Sequence, residues 1–429
     1  MRFLYNILTY LMLLPYTVYW LVRALANKSY RSKLGQRFGT SYPLLDRCIW
    51  IHAVSVGEVV AAAPLVRSLR RRHPQLPLLV TTVTPTGAAR VASLFGNDVH
   101  HSYIPFEMPL AINRFFNSVN PVITLIMETE IWPNLYHGCG VRKIPLVLVS
   151  ARISPKSVDS YRKLLPLFRE TLSHGIVIAA QSKADAERFL SLGAHPERTR
   201  VTGNIKFDIE LPQGLEERGG DIRRELFPNR PVWIAASTHD KEELMILESH
   251  QQLLAEHPTL LLILVPRHPD RFPAVRELIE KQGFRVVSRT EQRPCEPDEQ
   301  VLLGDTMGEV TMFYAASDIA FVGGSLVPVG GHNLLEPAAL GVPIITGPHV
   351  FNAQEIADSF VKHSACRMVA DVTELAATVD ELLESIDMAR ELGTNGLNIL
   401  NDNRGALNRL LEVIDPLIAA RSDQGISAH

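Results

Sequence analysis

From residue 48 onward, short apolar β-rich runs alternate with longer segments whose apolar residues recur at helical spacing. That alternation predicts a parallel α/β architecture in which the helices serve as crossovers. Runs 48–53, 78–83, 122–127, 146–150 and 176–180 read as strands, with amphipathic helical segments at 59–71, 88–94, 135–142 and 183–192 between them. A second series places strands at 232–236, 260–265, 285–287, 319–322 and 342–346. Between the two series, LPQGLEERGGD at 211–221 is rich in Pro, Gly and charge and reads as part of a linker over 211–230. The expected organisation is two doubly wound domains, 26–210 and 231–429, facing each other across a cleft. A last helical pattern near 405–420 is placed so that it can cross back onto the first domain.

The N-terminus breaks this pattern. Residues 3–22, FLYNILTYLMLLPYTVYWLV, form a 20-residue stretch without a charge, which is bilayer length. Tyr16, Tyr19 and Trp20 cluster at its far end, and Arg23, Lys28, Arg31, Lys33 and Arg37 follow before the first acid, Asp46. Basic residues after the apolar run, with only Arg2 before it, speak against a cleaved signal peptide and put the body of the chain in the cytoplasm. Residues 1–25 are therefore expected to be an anchor, spanning the membrane or lying in its interface, although Asn6, Thr9, Pro15 and Thr17 weaken a span.

Composition narrows the class. At 429 residues the chain exceeds a single ordinary core. With 46% hydrophobic and 21% charged residues, long disordered regions are not expected. A net charge of -3 argues against a general nucleic-acid binder. Cys48, Cys139, Cys295 and Cys366 are scattered without metal-ligand spacing, so neither a zinc site nor a disulfide framework is expected.

In doubly wound sheets, ligands bind beyond the C-terminal ends of the strands. The richest such stretch is 323–348, GGSLVPVGGHNLLEPAALGVPIITGP. It reads as a glycine turn, an N-cap at Asn333, a helix over 334–340 ended by Gly341, and a strand, an arrangement suited to an anion. After the first strand, Gly57 allows a sharp turn and Glu58 opens a helix, where a carboxylate also complements the dipole. After 122–127 come Glu128 and Glu130, a base and its electrostatic partner or a pair of solvated loop acids. Further strand-end groups are Ser237 to Glu243, then Arg267 with His268 between two prolines, Met307-Gly308-Glu309 at a helix start, and Lys206 just before the linker.

Seven ordered blocks, HAVSVGE (52–58), ETEIWPN (128–134), SARIS (150–154), GNIKFD (203–208), PRHP (266–269), MGE (307–309) and GGHNLLEPAALGVPIITGP (330–348), closely resemble the 3-deoxy-D-manno-octulosonic acid (Kdo) transferases. The resemblance implies a GT-B fold, CMP-Kdo as donor, a lipid A precursor (lipid IVA) as acceptor, and an inverting transfer at the cytoplasmic face of the bacterial inner membrane. It assigns Glu58 as general base, with Glu128 and Lys206 steadying charge in the transition state and Glu130 as the second choice of acid. Arg267, His268, Met307, Gly308, Glu309, Gly331, Asn333, Leu334, Leu335 and Glu336 become the CMP pocket. No Asp-x-Asp motif is present, so the reaction is expected to need neither a metal nor a cofactor. The basic cluster Arg23 to Arg37 would attract anionic lipid and the acceptor's phosphates. A sugar-nucleotide epimerase and a non-catalytic membrane-bound sugar-nucleotide binder are the alternatives. The number of Kdo units added is left open.

Overall fold

The computed structural model describes residues 1–209 and 211–426. The chain divides into two units, one of Met1–Asp208 with the segment from Asn403 onward, the other of Ile209–Asp402. The first unit carries strands β1 (Cys48–His52), β2 (Leu78–Thr82), β3 (His100–Tyr103), β4 (Pro121–Met127), β5 (Leu146–Ala151), β6 (Val177–Ala180) and β7 (Thr199–Val201) in one parallel sheet of order β3-β2-β1-β4-β5-β6-β7. The second carries β8 (Val232–Thr238), β9 (Leu261–Pro266), β10 (Val286–Ser288), β11 (Val301–Leu303), β12 (Ile319–Val322), β13 (Ile344–Thr346) and β14 (Arg367–Met368), ordered β10-β11-β9-β8-β12-β13-β14 and also parallel. The central strands read as unbroken apolar runs because helices cover both faces, and every residue of β4 is buried.

The segment read as a linker is part of the second unit. Its helix Leu215–Leu226 buries Leu215, Ile222 and Leu226 beside Phe227, Ile234 and Phe313. Gly219 lets it lie against Ala315, where an added Cβ would come within 2.5 Å of the Ala315 Cβ. The polar composition that suggested a linker is the solvent face of an amphipathic helix, with Glu216 and Glu217 in the first turn and Arg223 and Arg224 in the last, each favourable to the helix dipole.

The helix Ala406–Ile426 belongs to the first unit. Ala406, Leu410, Leu411, Ile414 and Ile418 are buried with Val122, Leu125 and Val147 on one face of its sheet. Asp208 fixes the helix start by accepting from the Gly405 and Leu407 amides. Further along, Asp415 pairs with Arg72 and with His73 Nε2 at 3.1 Å.

The N-terminal stretch is not one continuous helix. It forms two helices, α1 (Arg2–Leu11) and α2 (Leu13–Ala26), bent by 44°; among the described residues no single helix is long and apolar enough to cross a membrane, while this bent pair together has the length and composition of a broken span. Pro15 accounts for the break, since it has no N–H for the Leu11 carbonyl and its ring crowds that position. One face of the pair is spent on the first unit, so residues 1–25 are not a separate domain. Thr9, Trp20 and Ala24 are buried, and Tyr16 stacks on Phe106 with ring centroids 4.0 Å apart. The other face is bare, with Phe3, Leu4, Leu11, Leu14, Val22 and Leu25 all exposed. Arg37 is not available to lipid either. It is 2% exposed, its guanidinium lies 3.5 Å from the Trp20 ring centroid and 4.3 Å from that of Tyr103, and Nη2 donates to the Val83 carbonyl. Arg31 instead donates to the Ala24 carbonyl at the end of α2.

Leu410 is fully buried in the first unit's core. Leu410→Ala is expected to lower stability by about 2–5 kcal/mol, read as a fall in the urea unfolding midpoint.

Candidate active site

In the first unit the acids and cations arrive from neighbouring strands. Glu58 follows β1, Glu128 follows β4 and Arg152 follows β5, three strands adjacent in the sheet. The boundary between β1 and β4 is where the strand order reverses, the usual place for a ligand crevice. Lys206 comes from the turn after β7.

α3 (Val56–Arg72) begins with Ser55 as N-cap, whose hydroxyl accepts from the Glu58 amide. The Glu58 carboxylate reaches back to accept from the Val54 amide at 2.8 Å and lies 3.3 Å from the Ser55 hydroxyl, a capping arrangement. Capping does not exhaust its chemistry. Burial, and after it the nearby charges of Glu128 and Glu130, push the carboxyl up to about 7, while the Val54 amide pulls the other way. Among the described residues no cation pairs with it.

Glu128 stands in the opposite condition. Its φ of +54° places a non-glycine residue in the left-handed region, a strain of the kind that collects at functional turns. Oε1 is 2.8 Å from Lys206 Nζ and Oε2 is 3.0 Å from Arg152 Nε. Burial pushes this carboxyl up, but Lys206 and Arg152 together outweigh it and the net shift is downward. Glu130 does not take this place, since its Oε2 accepts from Trp132 Nε1 at 2.6 Å and its carbonyl from the Tyr136 hydroxyl. His52, within the HAVSVGE block, is a core histidine. It is fully buried, bonded through Nδ1 to the Thr81 hydroxyl, and lowered by desolvation to about 4.

In the second unit, β9, β8 and β12 are adjacent and bring together His268, His239 and His332. The His239 and His332 rings are parallel within 4° and joined Nε2 to Nε2 at 2.8 Å, so one donates and the other accepts. The His268 ring centroid lies 5.4 Å from that of His239. Burial, then the nearby Arg267 and the two other imidazoles, lowers His332 to about 3. Arg267 makes no side-chain hydrogen bond or ion pair among the described residues, and its charge acts on both His332 and Glu336. A free guanidinium beside imidazole donors is suited to a phosphate or carboxylate.

The glycine stretch works differently from the sequence expectation. Its amides at Gly324, Ser325 and Leu326, together with that of His239, all donate to the carboxylate of Glu242, a fully buried residue, at 2.7–3.1 Å. This part of the loop holds an internal anion. The helix after Asn333 is only Leu335–Ala339, with Leu334 at the N-cap position, and the Asn333 Oδ1 accepts from the Leu335 amide. A helix of five residues presents little dipole. Leu334 and Leu335 pack their side chains in the core, whereas Asn333 is exposed and donates to Glu336 Oε1 at 3.1 Å. The Gly331 amide is taken by the Gly324 carbonyl. Met307 is exposed, Gly308 has φ of +82°, and Glu309 is held by Arg289 at 3.3 Å and by the Thr306 hydroxyl. Sequence reading gave no role to Arg152 and marked His239 and Glu242 only within the strand-end group Ser237 to Glu243 and His332 only within the glycine stretch; their strand-end positions were the available signal.

Two seven-stranded parallel α/β units, one with strand-end acids and the other with a cation–imidazole cluster, resemble the GT-B glycosyltransferases. The family model described as 3-deoxy-D-manno-octulosonic-acid transferase matches residues 32–209, and that for group 1 glycosyl transferases matches residues 233–398. The chain is 44% identical over 394 residues to the 3-deoxy-D-manno-octulosonic acid transferase of Haemophilus influenzae, covering 91% of this chain and 92% of that one. Against the transferase of Bordetella pertussis the identity is 37%, with 75% and 76% covered. A glycosyltransferase structure from Rickettsia africae shares the fold at a TM-score of 0.52 and 15% identity, covering 87% of this chain and 99% of that one. The chain belongs to the 3-deoxy-D-manno-octulosonic acid transferase family.

Replacing Lys206 with Met removes the nearer cation from Glu128, so burial is less opposed and the Glu128 carboxyl titrates at higher pH than in the parent. A carboxyl-carbon NMR titration of the two proteins reads the shift.

Proposed function

We propose that the protein is an inverting transferase that moves Kdo from CMP-Kdo to a lipid A precursor such as lipid IVA, in lipopolysaccharide assembly at the cytoplasmic face of the inner membrane. The observation that carries this reading, within the family already shown, is the separation of two carboxylates by their surroundings. Glu58 is raised to about 7 and Glu128 is held low by Lys206 and Arg152. Glu58 removes the proton of the acceptor hydroxyl as that oxygen bonds to the anomeric carbon, while the bond from that carbon to the phosphate oxygen breaks and CMP departs. Glu128, fixed as a carboxylate, holds Lys206 and Arg152 in place as a charged group beside the reacting centre.

On the donor side, Arg267 with His239 and His268 supplies partners for the phosphate and the sugar carboxylate, so charge is met without a divalent ion. Met307, Gly308, Glu309, Gly331, Asn333 and Glu336 complete the CMP pocket. The bare face of α1 and α2 lies in the lipid interface, where the acceptor's acyl chains remain. Arg23, Lys28 and Lys33 add attraction to anionic headgroups. Family membership in transferases leaves the epimerase reading without a supporting observation, and a non-catalytic binder would tolerate Gln at 58.

Purified protein incubated with CMP-Kdo and the lipid A precursor in the presence of EDTA is expected to release CMP only when acceptor is present. Glu58→Gln lowers kcat by about 10²–10⁴. Because the base works deprotonated, kcat/KM of the parent falls as pH drops below about 7. Acceptor-independent release, or a Gln variant that keeps most of its rate, overturns the reading. In a separate flotation assay, Leu4→Glu with Leu11→Glu is expected to abolish binding to anionic vesicles while CMP release on detergent-dispersed acceptor persists.

A further inference from the structure

The helix Pro133–Val141 follows directly on the acid-bearing turn, and its start lacks the usual caps. The N-cap residue Trp132 offers no side-chain acceptor and Pro133 has no N–H. The first amides that need a partner are therefore those of Asn134 and Leu135, residues that are 4% and 0% exposed. A carboxylate from elsewhere in the chain takes both. Glu107 accepts from the Asn134 amide at 3.0 Å and from the Leu135 amide at 2.7 Å, and its carbonyl accepts from Asn134 Nδ2 at 2.9 Å. The same Oε2 that serves Asn134 also accepts from the hydroxyl of Tyr5, on α1, at 2.9 Å. Burial pushes the Glu107 carboxyl up to about 7 against these three donors, so each of them favours the charged form that caps the helix.

On the other side of the same helix start, Trp132 and Tyr136 hold Glu130. Glu128 sits two residues earlier in its left-handed turn. Hydrogen bonds joined through the backbone of residues 132–136 thus connect α1 to the turn that carries the acids. Arg2, at the start of α1, adds a 3.9 Å approach to Glu170 on the helix Leu165–Leu172.

We propose that Tyr5 and Glu107 are positioning residues through which the docked N-terminal helix fixes the 128–134 turn in its working geometry. This rests on the transferase reading above. Neither residue is assigned to a substrate, so their loss lowers kcat and leaves the KM for CMP-Kdo, which the second unit sets, unchanged. The test uses the full chain with 5-fluorotryptophan incorporated, comparing Tyr5→Phe, Glu107→Gln and Glu107→Asp with the parent. Tyr5→Phe and Glu107→Gln are expected to shift the Trp132 fluorine resonance, leave that of Trp233 in place, and lower kcat by about tenfold or more at constant donor KM. Glu107→Asp, which keeps a carboxylate, recovers part of kcat. An unmoved Trp132 resonance in both variants overturns the proposal, as does a kcat loss that only tracks a reduced folded fraction in a thermal melt. The resonance readout does not involve turnover, so it stands apart from failure of the transferase reading, which Glu58→Gln addresses.

Discussion

Parallel strand pairing is the constraint on which the rest depends. A parallel strand can be entered only from the same end as its neighbour, so each crossover returns the chain and every post-strand turn is delivered to one edge of the sheet. Residues far apart in sequence thereby become neighbours if their strands are adjacent. β1, β4 and β5 lie side by side, and so Glu58, Glu128 and Arg152 meet although 94 positions separate the first from the last. β9, β8 and β12 do the same for His268, His239 and His332. Because these turns rest on strands buried on both faces, their side chains are aimed from a rigid base.

What the turns then supply is electrostatic contrast. Two glutamates with the same intrinsic chemistry are driven apart because one meets two cations, while for the other desolvation and like charge outweigh the Val54 amide and the Ser55 hydroxyl. Lys206 and Arg152 keep side-chain exposures of 30% and 40% against 15% for Glu128, so solvent screening leaves the ion pairs modest as stabilising contacts. Their value is in holding geometry and protonation state. In the second unit, Glu242 plays the corresponding internal part for the glycine loop, whose Gly324, Ser325 and Leu326 amides it occupies.

The two-unit parallel architecture was legible because central strands are continuous apolar runs with helical periods between them. Of the edge strands, 285–287 was legible and is observed as Val286–Ser288, but His100–Tyr103 reads HHSY and Arg367–Met368 is only two residues long, so neither of these carries an apolar signal. The helix Leu215–Leu226 was hidden by the charge on its outer face. At the site, Glu58 and Lys206 could be picked out because they stand in strand-end blocks, but whether Glu128 or Glu130 meets the cations depends on a left-handed backbone turn that local sequence does not announce. In the N-terminal stretch, hydropathy counts apolar residues without showing which face they occupy. The tertiary contacts of Trp20, Tyr5 and Tyr16 decide that face.

The helix Ala406–Ile426 has a consequence for the order in which the molecule is made. The second unit is a continuous stretch of chain and can complete its core as soon as that stretch has left the ribosome. The first unit cannot. Leu410, Leu411, Ile414 and Ile418 are translated some two hundred residues after Asp208, and until they arrive one face of the β1–β4–β5 layer lacks part of its covering. The half made first is thus the half finished last, and during synthesis the nascent first unit must keep an apolar sheet face, beside the equally apolar N-terminal pair, soluble or attended by a chaperone for the time needed to translate the whole of the second.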